Sequence, residues 1–472
     1  MRPSRIAAIS CLAIATLVWA CRAFAANPTN FVACELRILN DNGAWSWFMD
    51  ERAIVHEGKL IVGSMRSVRD FNSGHSDPNW GNVELAVHDI ARGSTEHVTL
   101  DAHFEQDDHD NPALLALPDG RILAVYTRHA TERKVFCRVS APHDPLSWSP
   151  VQTIVTPGND SPPYSGDNVT YSNLFRLKSG RIYNFYRGFD YDPNYMFSND
   201  DGRSWQTGGR LVKGLDGYGP YAKYAFDGDK TIHFVATEDH PRLYDNNLYH
   251  GIIRDNSLSQ SDGSRIGPIQ VGNDAPIAVS NLTKIFAGDP DNTAWMTDLE
   301  LDEQQQPVVV FTVQKDGRGL GRKEGGFDHR FHCARWDGTA WRQQEIAYAG
   351  KRLYPGEDDY TGLAAIDPRN VNIVYISTDA DPETGTPLVS AADGKRHHEL
   401  FRGETTDGGM SWQWTPITAN STMDNLRPIV PKWDDPRTAL VWMRGNYRSN
   451  HGEWTTAVVA LIIPEPKPIS AH

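Results

Sequence analysis

The chain has 472 residues, 60 acidic against 46 basic side chains, and a net charge of −14. That balance argues against nucleic acid and anionic membrane surfaces as partners, while an anionic ligand gripped by local arginines stays open. The length suits two or three ordinary domains or one large repeat fold. Abundant Trp, Tyr, Gly and Pro with little helical periodicity point to an all-β chain.

The first 25 residues read as an export signal. Arg2 and Arg5 precede the apolar run from Ile6 to Trp19, and Ala23-Phe24-Ala25 is a small-x-small cleavage site before Ala26. Lipidation at Cys21 is the rival reading, which Trp19 fits poorly. A secreted or periplasmic protein follows, near −17 once Arg2, Arg5 and Arg22 are gone. No later apolar run is long enough to span a bilayer, so no membrane insertion is expected. The mature chain keeps Cys34, Cys137 and Cys333, too widely spaced for a disulfide framework or a zinc pattern. Buried free thiols are expected, with one bridge at most.

Hairpin signals recur along residues 26–463. Arg52 to Met65 turns at Glu57-Gly58, and the runs flanking Pro118-Asp119-Gly120 turn there. Leu117 to Tyr126 repeats, 60 residues on, as Leu177 to Tyr186. Further hairpins turn at Asp227-Gly228, near Glu303-Gln304, at Asp367-Pro368 and at Asp434-Asp435. That makes seven units, each able to hold a four-stranded antiparallel sheet. Ser198-x-Asp200-x-Gly202-x-Ser204-Trp205 and Thr405-x-Asp407-x-Gly409-x-Ser411-Trp412 match the Asp-box turn of sialidase-like propeller blades, with worn copies at Ser147-Trp148 and Asp337 to Trp341. Asp accepts backbone N–H bonds, Gly supplies a positive φ and Trp packs under the blade, so these boxes are structural. The expected fold is a seven-bladed β-propeller of four-stranded antiparallel blades, which leaves only short, protected edges. Thr455 to Ile463 is the expected closing strand, paired with a strand from Glu35 to Leu39; Pro464 to His472 reads as a tail.

In an antiparallel hairpin, positions equidistant from the turn face each other. His109 and His129 are equidistant from residue 119, and Tyr171 and Arg187 from residue 179. The fourth unit's second strand ends in Glu238-Asp239-His240-Pro241-Arg242. Residues before the first strand and after the second emerge at one face of every blade. Three neighbouring blades thus offer His109, His129, Tyr171, Arg187, His240 and Arg242 to one face. Each has a bland reading: a satisfied loop histidine, a half-buried strand tyrosine, an Arg187 paired with Asp190 or Asp192. Their convergence favours chemistry. Arginines bind a carboxylate bidentately, and His and Tyr transfer protons. That set suits β-elimination on a uronic acid: the clamped carboxylate acidifies H5, a base removes it and an acid protonates the departing O4. Hydrolysis uses two carboxyl groups, and Asp107, Asp108, Asp110, Glu238 and Asp239 keep it open.

The run His109-x-Asn111-Pro112-Ala113-Leu114, with His129, Tyr171 and Arg187 at their spacings, resembles the seven-bladed propeller lyases that include ulvan lyases. Cys333 to Trp341, Gly356 to Leu363 and Asp424 to Trp433 with Trp442-Met-Arg-Gly445 resemble propeller enzymes acting on L-rhamnose-α-1,4-D-glucuronate, the cap of gum arabic and arabinogalactan proteins. The resemblance implies His109 and His129 as acid/base and orienting histidines, Tyr171 as the partner acid/base, and Arg187 and Arg242 as holders of the glucuronate carboxylate. Asn111, His240 and Tyr249 are further candidate substrate contacts. The implied partner is an anionic uronate-containing plant or algal polysaccharide, bound by a monomer. The chemistry needs no cofactor. A structural calcium ion is associated with such propellers, although no calcium loop is present here. Some relatives are α-L-rhamnosidases on the same linkage, with a site on the opposite face. An ulvan-type endo-lyase and a non-catalytic carbohydrate-binding propeller also fit the pattern. A sialidase is disfavoured, because the chain has no Arg-Ile-Pro motif.

Overall fold

The computed structural model describes residues 29–68, 77–269, 272, 277–317, 320, 323–447 and 452–464. The expected export signal and all but the first residue of the expected tail lie outside them. Seven antiparallel sheets follow one another around an axis. Their innermost strands are Ala53–His56, Ala113–Ala116, Thr170–Arg176, Ala222–Phe226, Thr293–Leu301, Ala364–Ile366 and Asp424–Ile429, in blades one to seven. Each of the seven expected inner hairpins forms, including Ala116 against Ile122 across the Asp119-Gly120 turn and Leu301 against Pro307. The seventh blade closes as expected: Arg37–Asn40 pairs with Trp454–Ile463, joining the two ends of the chain in one sheet. Two blades depart from four strands. The second shares its outer position between Asp144–Trp148 and Gln152–Val155, and the fourth carries two extra strands, Arg265–Pro268 and Thr283–Phe286.

The burial of each strand follows its distance from the axis. The second strands Ile122–Thr127, Ile182–Arg187 and Pro307–Gln314 are buried throughout, because neighbouring blades cover both faces. Outer strands such as Ser94–Asp101 and Gln152–Val155 are largely solvated. Both intact Asp-boxes turn between third and fourth strands. In each, the carboxylate (Asp200, Asp407) accepts the backbone N–H of the Ser four residues on, at 2.9 Å, and its hydroxyl at 2.6 Å. Asp337 accepts two backbone N–H bonds at the same place in the fifth blade. Cys34, Cys137 and Cys333 are free thiols, the last two buried.

One segment has no counterpart in the repeat. Ala44 to Asp50, just before the first blade, crosses the channel and touches every blade. Ala44 pairs with Met65 of blade one, and Ser46 donates its N–H to the Asp108 carbonyl at 2.9 Å. Asn173 donates to the Phe48 carbonyl and Lys223 to that of Trp47, at 3.0 and 2.9 Å. The Trp47 ring stands 5.0 Å from both Trp295 and Tyr360, and the Trp45 indole donates to the Arg427 carbonyl. The segment is a plug: its backbone groups are satisfied by blades rather than by a strand partner. Trp47 is 2 % exposed. Replacing it with Ala therefore costs about 3–5 kcal/mol of stability, read as a lower urea midpoint, whereas Trp47→Phe loses much less.

Candidate active site

His109 lies in a short turn, Asp108–Asp110, capped by Asp107, which accepts the His109 backbone N–H. The same carboxylate accepts His109 Nδ1–H at 2.7 Å on one oxygen and His129 Nδ1–H at 2.8 Å on the other. The rings stack with centroids 3.9 Å apart and planes 8° from parallel. Equidistance from the turn thus brings the two histidines together, and Asp107 fixes both with Nδ1–H as the donor, so that whichever ring is neutral keeps its lone pair on Nε2.

Their charges differ. Burial opposes a cation at His109, but the Asp107 and Asp108 carboxylates outweigh it and hold its pKa up to about 9. Burial pushes His129 down to about 3; Asp107 opposes this and the neighbouring His109 adds to the fall. The stacked pair therefore carries one positive charge at neutral pH. Asp107 stays ionised well below its ordinary range: burial alone would raise it, and both imidazoles overcome that. Asp108 lies 2.9 Å from His109 Nδ1. It also accepts the Tyr447 hydroxyl at 2.7 Å and pairs with Arg427 at 2.5 Å. Arg427 donates in turn to the Trp45 carbonyl of the plug. Blade seven and the plug thus hold the second carboxylate under His109.

The third blade adds a phenol and a cation. The sequence places Tyr171 opposite Arg187. The structure instead pairs Thr170 with Arg187 and shifts register before Asn173, with Tyr171 at φ +68°. A bulge re-aims its side chain across the mouth, where the ring lies 5.6 Å from His109. Burial raises the Tyr171 hydroxyl well above its ordinary range, Arg187 only partly opposing, so it is a phenol. Arg187 has no carboxylate partner among the described residues. The expected bland pairing fails because Asp190 and Asp192 both pair with Arg210, at 2.8 and 3.2 Å. The buried guanidinium instead lies over Tyr171, Tyr191 and Tyr221 at 5.0, 5.2 and 5.5 Å. It donates to the Tyr221 hydroxyl at 2.9 Å and to Thr170 at 3.2 Å.

The fourth blade's His240 packs against Tyr221 and Trp295, with ring centroids 5.4 and 4.7 Å away. Arg242 is brought to this face, yet it is paired with Glu357 from the loop before blade six. Asn111 is buried two residues beyond His109 and donates to the Pro112 carbonyl. Tyr249 is not brought to the group. It sits in the third strand of blade four, away from the channel, where its hydroxyl donates to Glu238 at 2.7 Å and its ring faces Lys284. Sequence reasoning gave no role to Tyr221, Glu357 or Arg427. Tyr221 is marked by the fourth hairpin's boundary, and the other two lie inside motifs that carry the resemblance.

Two groups of His and carboxylate side chains among the described residues are close enough to hold a cation: Asp107 with His109 and His129, and His240 with Glu357 and Asp359. Neither is the all-oxygen set that calcium takes. In the first, both imidazoles already donate to Asp107.

Residues 67–349 match the sequence profile of the BNR repeat-containing family. The chain belongs to that family. No curated protein matches it. Among solved structures, this BNR repeat protein is similar to an ulvan lyase described as a new polysaccharide lyase family and bound to -[GlcA(1-4)Rha3S]-. That likeness has a TM-score of 0.63 and 14% identity, over 91% of this chain and 95% of the other. It is also similar to polysaccharide lyase Uly1, at TM-score 0.54 and 11% identity over 91% and 98% of the two chains. At such identities the likeness establishes the propeller fold.

The His109 shift has a stability consequence. Its folded pKa, about 9, lies above the unfolded value of 6.5. The stabilisation is therefore full below pH 6.5 and lost as pH rises through 9. The thermal midpoint of this BNR repeat protein falls across that window, and His109→Gln flattens the fall.

Proposed function

We propose that this BNR repeat protein is an exported polysaccharide lyase, acting as a monomer on L-rhamnose-α-1,4-D-glucuronate caps of plant polysaccharides. The observation that carries the reading is Arg187: a buried cation with no carboxylate of its own, beside a buried phenol and an imidazole pair carrying one charge. A buried cation without a counter-ion is costly, and a uronate carboxylate supplies one. The ulvan lyase likeness supports the class, since that protein is bound to a polymer of glucuronate and sulfated rhamnose.

In the reaction, Arg187 receives the C6 carboxylate and, with cationic His109, stabilises the enolate-like charge that develops there. Neutral His129 presents its Nε2 lone pair and takes H5; the incoming electrons form the C4–C5 double bond. Tyr171 gives its proton to O4 as the C4–O4 bond breaks. The products are rhamnose and a 4,5-unsaturated glucuronate, and no cofactor is consumed.

Incubation with rhamnose-capped glucuronate or gum arabic is expected to give a new ultraviolet band from the conjugated uronate, together with free rhamnose. Tyr171→Phe lowers turnover by about 10²-fold or more. Because His109 must be cationic, kcat/KM falls as pH rises through about 9. Free rhamnose with saturated glucuronate would instead establish an α-L-rhamnosidase. One observation favours that second reading: burial, reinforced by Asp50, pushes Glu51 up to about 7. Glu51 lines a cavity of about 680 Å³ at the opposite mouth with Glu300 and His56, where a protonated carboxyl could act as a general acid.

A further inference from the structure

Beside the catalytic group, on the same face, lies a cavity of about 250 Å³ with no assigned role. It is lined by Arg242, Tyr244, Asp245, Gln314, Asp358 and Asp359, among others. A short relay connects its wall to Arg187: Arg187 donates to Tyr221, Tyr221 packs against His240, and Arg242 follows two residues on.

Two ion pairs and a hydroxyl contact already stand in the described wall. Arg242 pairs with Glu357, Asp358 pairs with Arg352 at 2.6 Å, and Asp245 accepts the Thr293 hydroxyl. Such pairs are held in place before a ligand arrives and still offer N–H donors and carboxylate acceptors to hydroxyl groups. Tyr244 is 41 % exposed and Leu243 54 %, so an aromatic and an aliphatic surface stand open at the rim. A concave site with an apolar rim and a few fixed polar groups is how a small polar ligand is oriented.

A cation is the rival occupant, because His240, Glu357 and Asp359 lie within reach of one another and Asp359 makes no hydrogen bond to another residue. Two contacts argue against it. The Arg242 guanidinium already takes Glu357, and the Arg242 backbone N–H donates to His240 Nδ1 at 3.2 Å. That bond makes Nδ1 the acceptor and puts the ring proton on Nε2, the nitrogen that faces Glu357.

We propose that this cavity is a second sugar subsite, which binds the neutral pyranose adjoining the uronate through Tyr244, Gln314 and the Arg242–Glu357 pair. The inference rests on the uronate reading of Arg187 and extends it from one sugar to two.

Calorimetry on the full protein separates the two. Methyl glucuronide tests the uronate site alone, and rhamnose-capped glucuronate tests both sites; Tyr171→Phe is the background, so that turnover is slowed about 10²-fold or more and binding is read before cleavage. The disaccharide is expected to bind about tenfold tighter than the monosaccharide. Tyr244→Ala and Gln314→Ala should each erode that advantage while leaving the monosaccharide affinity unchanged. If glucuronide binds but the advantage survives both substitutions, the subsite is overturned and the uronate site stands. If neither sugar binds, both fall. Stoichiometric Mn²⁺ or Zn²⁺ binding that Asp359→Asn abolishes, with the disaccharide advantage indifferent to Tyr244 and Gln314, would make the cavity's floor a metal site instead.

Discussion

A single carboxylate shared between two imidazoles organises the mouth of this propeller. Asp107 uses one oxygen for each ring, and its geometry forces the rings face to face at 3.9 Å. Two imidazoliums at that distance would repel strongly in a buried setting. The resting pair, with no anionic ligand beside it, therefore holds a single positive charge, and the surroundings decide which ring keeps it. His109 has a second carboxylate, Asp108, beside the same nitrogen, while the His129 ring shares Asp107 with it. The cation settles on His109 for that reason. The asymmetry begins one residue further back, where Arg427 and Tyr447 hold Asp108 in position. A residue of blade seven thus helps determine the charge on a residue of blade two.

Such long-range arrangement depends on the plug. In a plain propeller the channel would hold water, and the dielectric around these charges would be high. Trp47 and Phe48 fill it with aromatic surface and pack edge-on or tilted against Trp295, Tyr360, Tyr171 and Tyr221. The plug's carbonyls also accept from buried cations of the blades: Arg427 bonds to that of Trp45 and Lys223 to that of Trp47. The plug therefore supplies both the dry floor and the acceptors for it. Each blade then delivers one or two side chains to its rim, and closeness follows from the symmetry rather than from any local motif.

The repeat was legible because its signals are local. An Asp-Gly or Lys-Ser-Gly turn between apolar runs fixes a hairpin within about fifteen residues, and the hairpin fixes which positions share an end. His109 with His129 followed directly. The closing strand pair was legible for a similar reason, since only the two chain ends were left unpaired. What was not legible depended on irregularity or on distance. Tyr171 reaches the mouth through a bulge, which no equidistance rule anticipates, because one extra residue shifts the register. The partners of Asp108 come from more than 300 residues away. Tyr249 has a side chain suited to a sugar contact, but it sits on a third strand, and a third strand lies outside the channel wall. The plug escaped because Ala44 to Asp50 is apolar and has no repeat partner to align with.

The two arginines of the site separate two kinds of electrostatic construction. Arg242 has its own carboxylate, Glu357, and the pair is a finished hydrogen-bonding surface that changes little when a neutral ligand arrives. Arg187 is surrounded by phenols, which accept a hydrogen bond and face a cation with π density but carry no charge. Tyrosines can hold a guanidinium in place without neutralising it, whereas an aspartate would occupy the position a ligand's carboxylate needs. That difference explains why Asp190 and Asp192, close in sequence to Arg187, are both drawn away to Arg210. Keeping acids off Arg187 is as much a part of the site as bringing His109 and Tyr171 to it, and it gives the mouth one place where only an anion completes the structure.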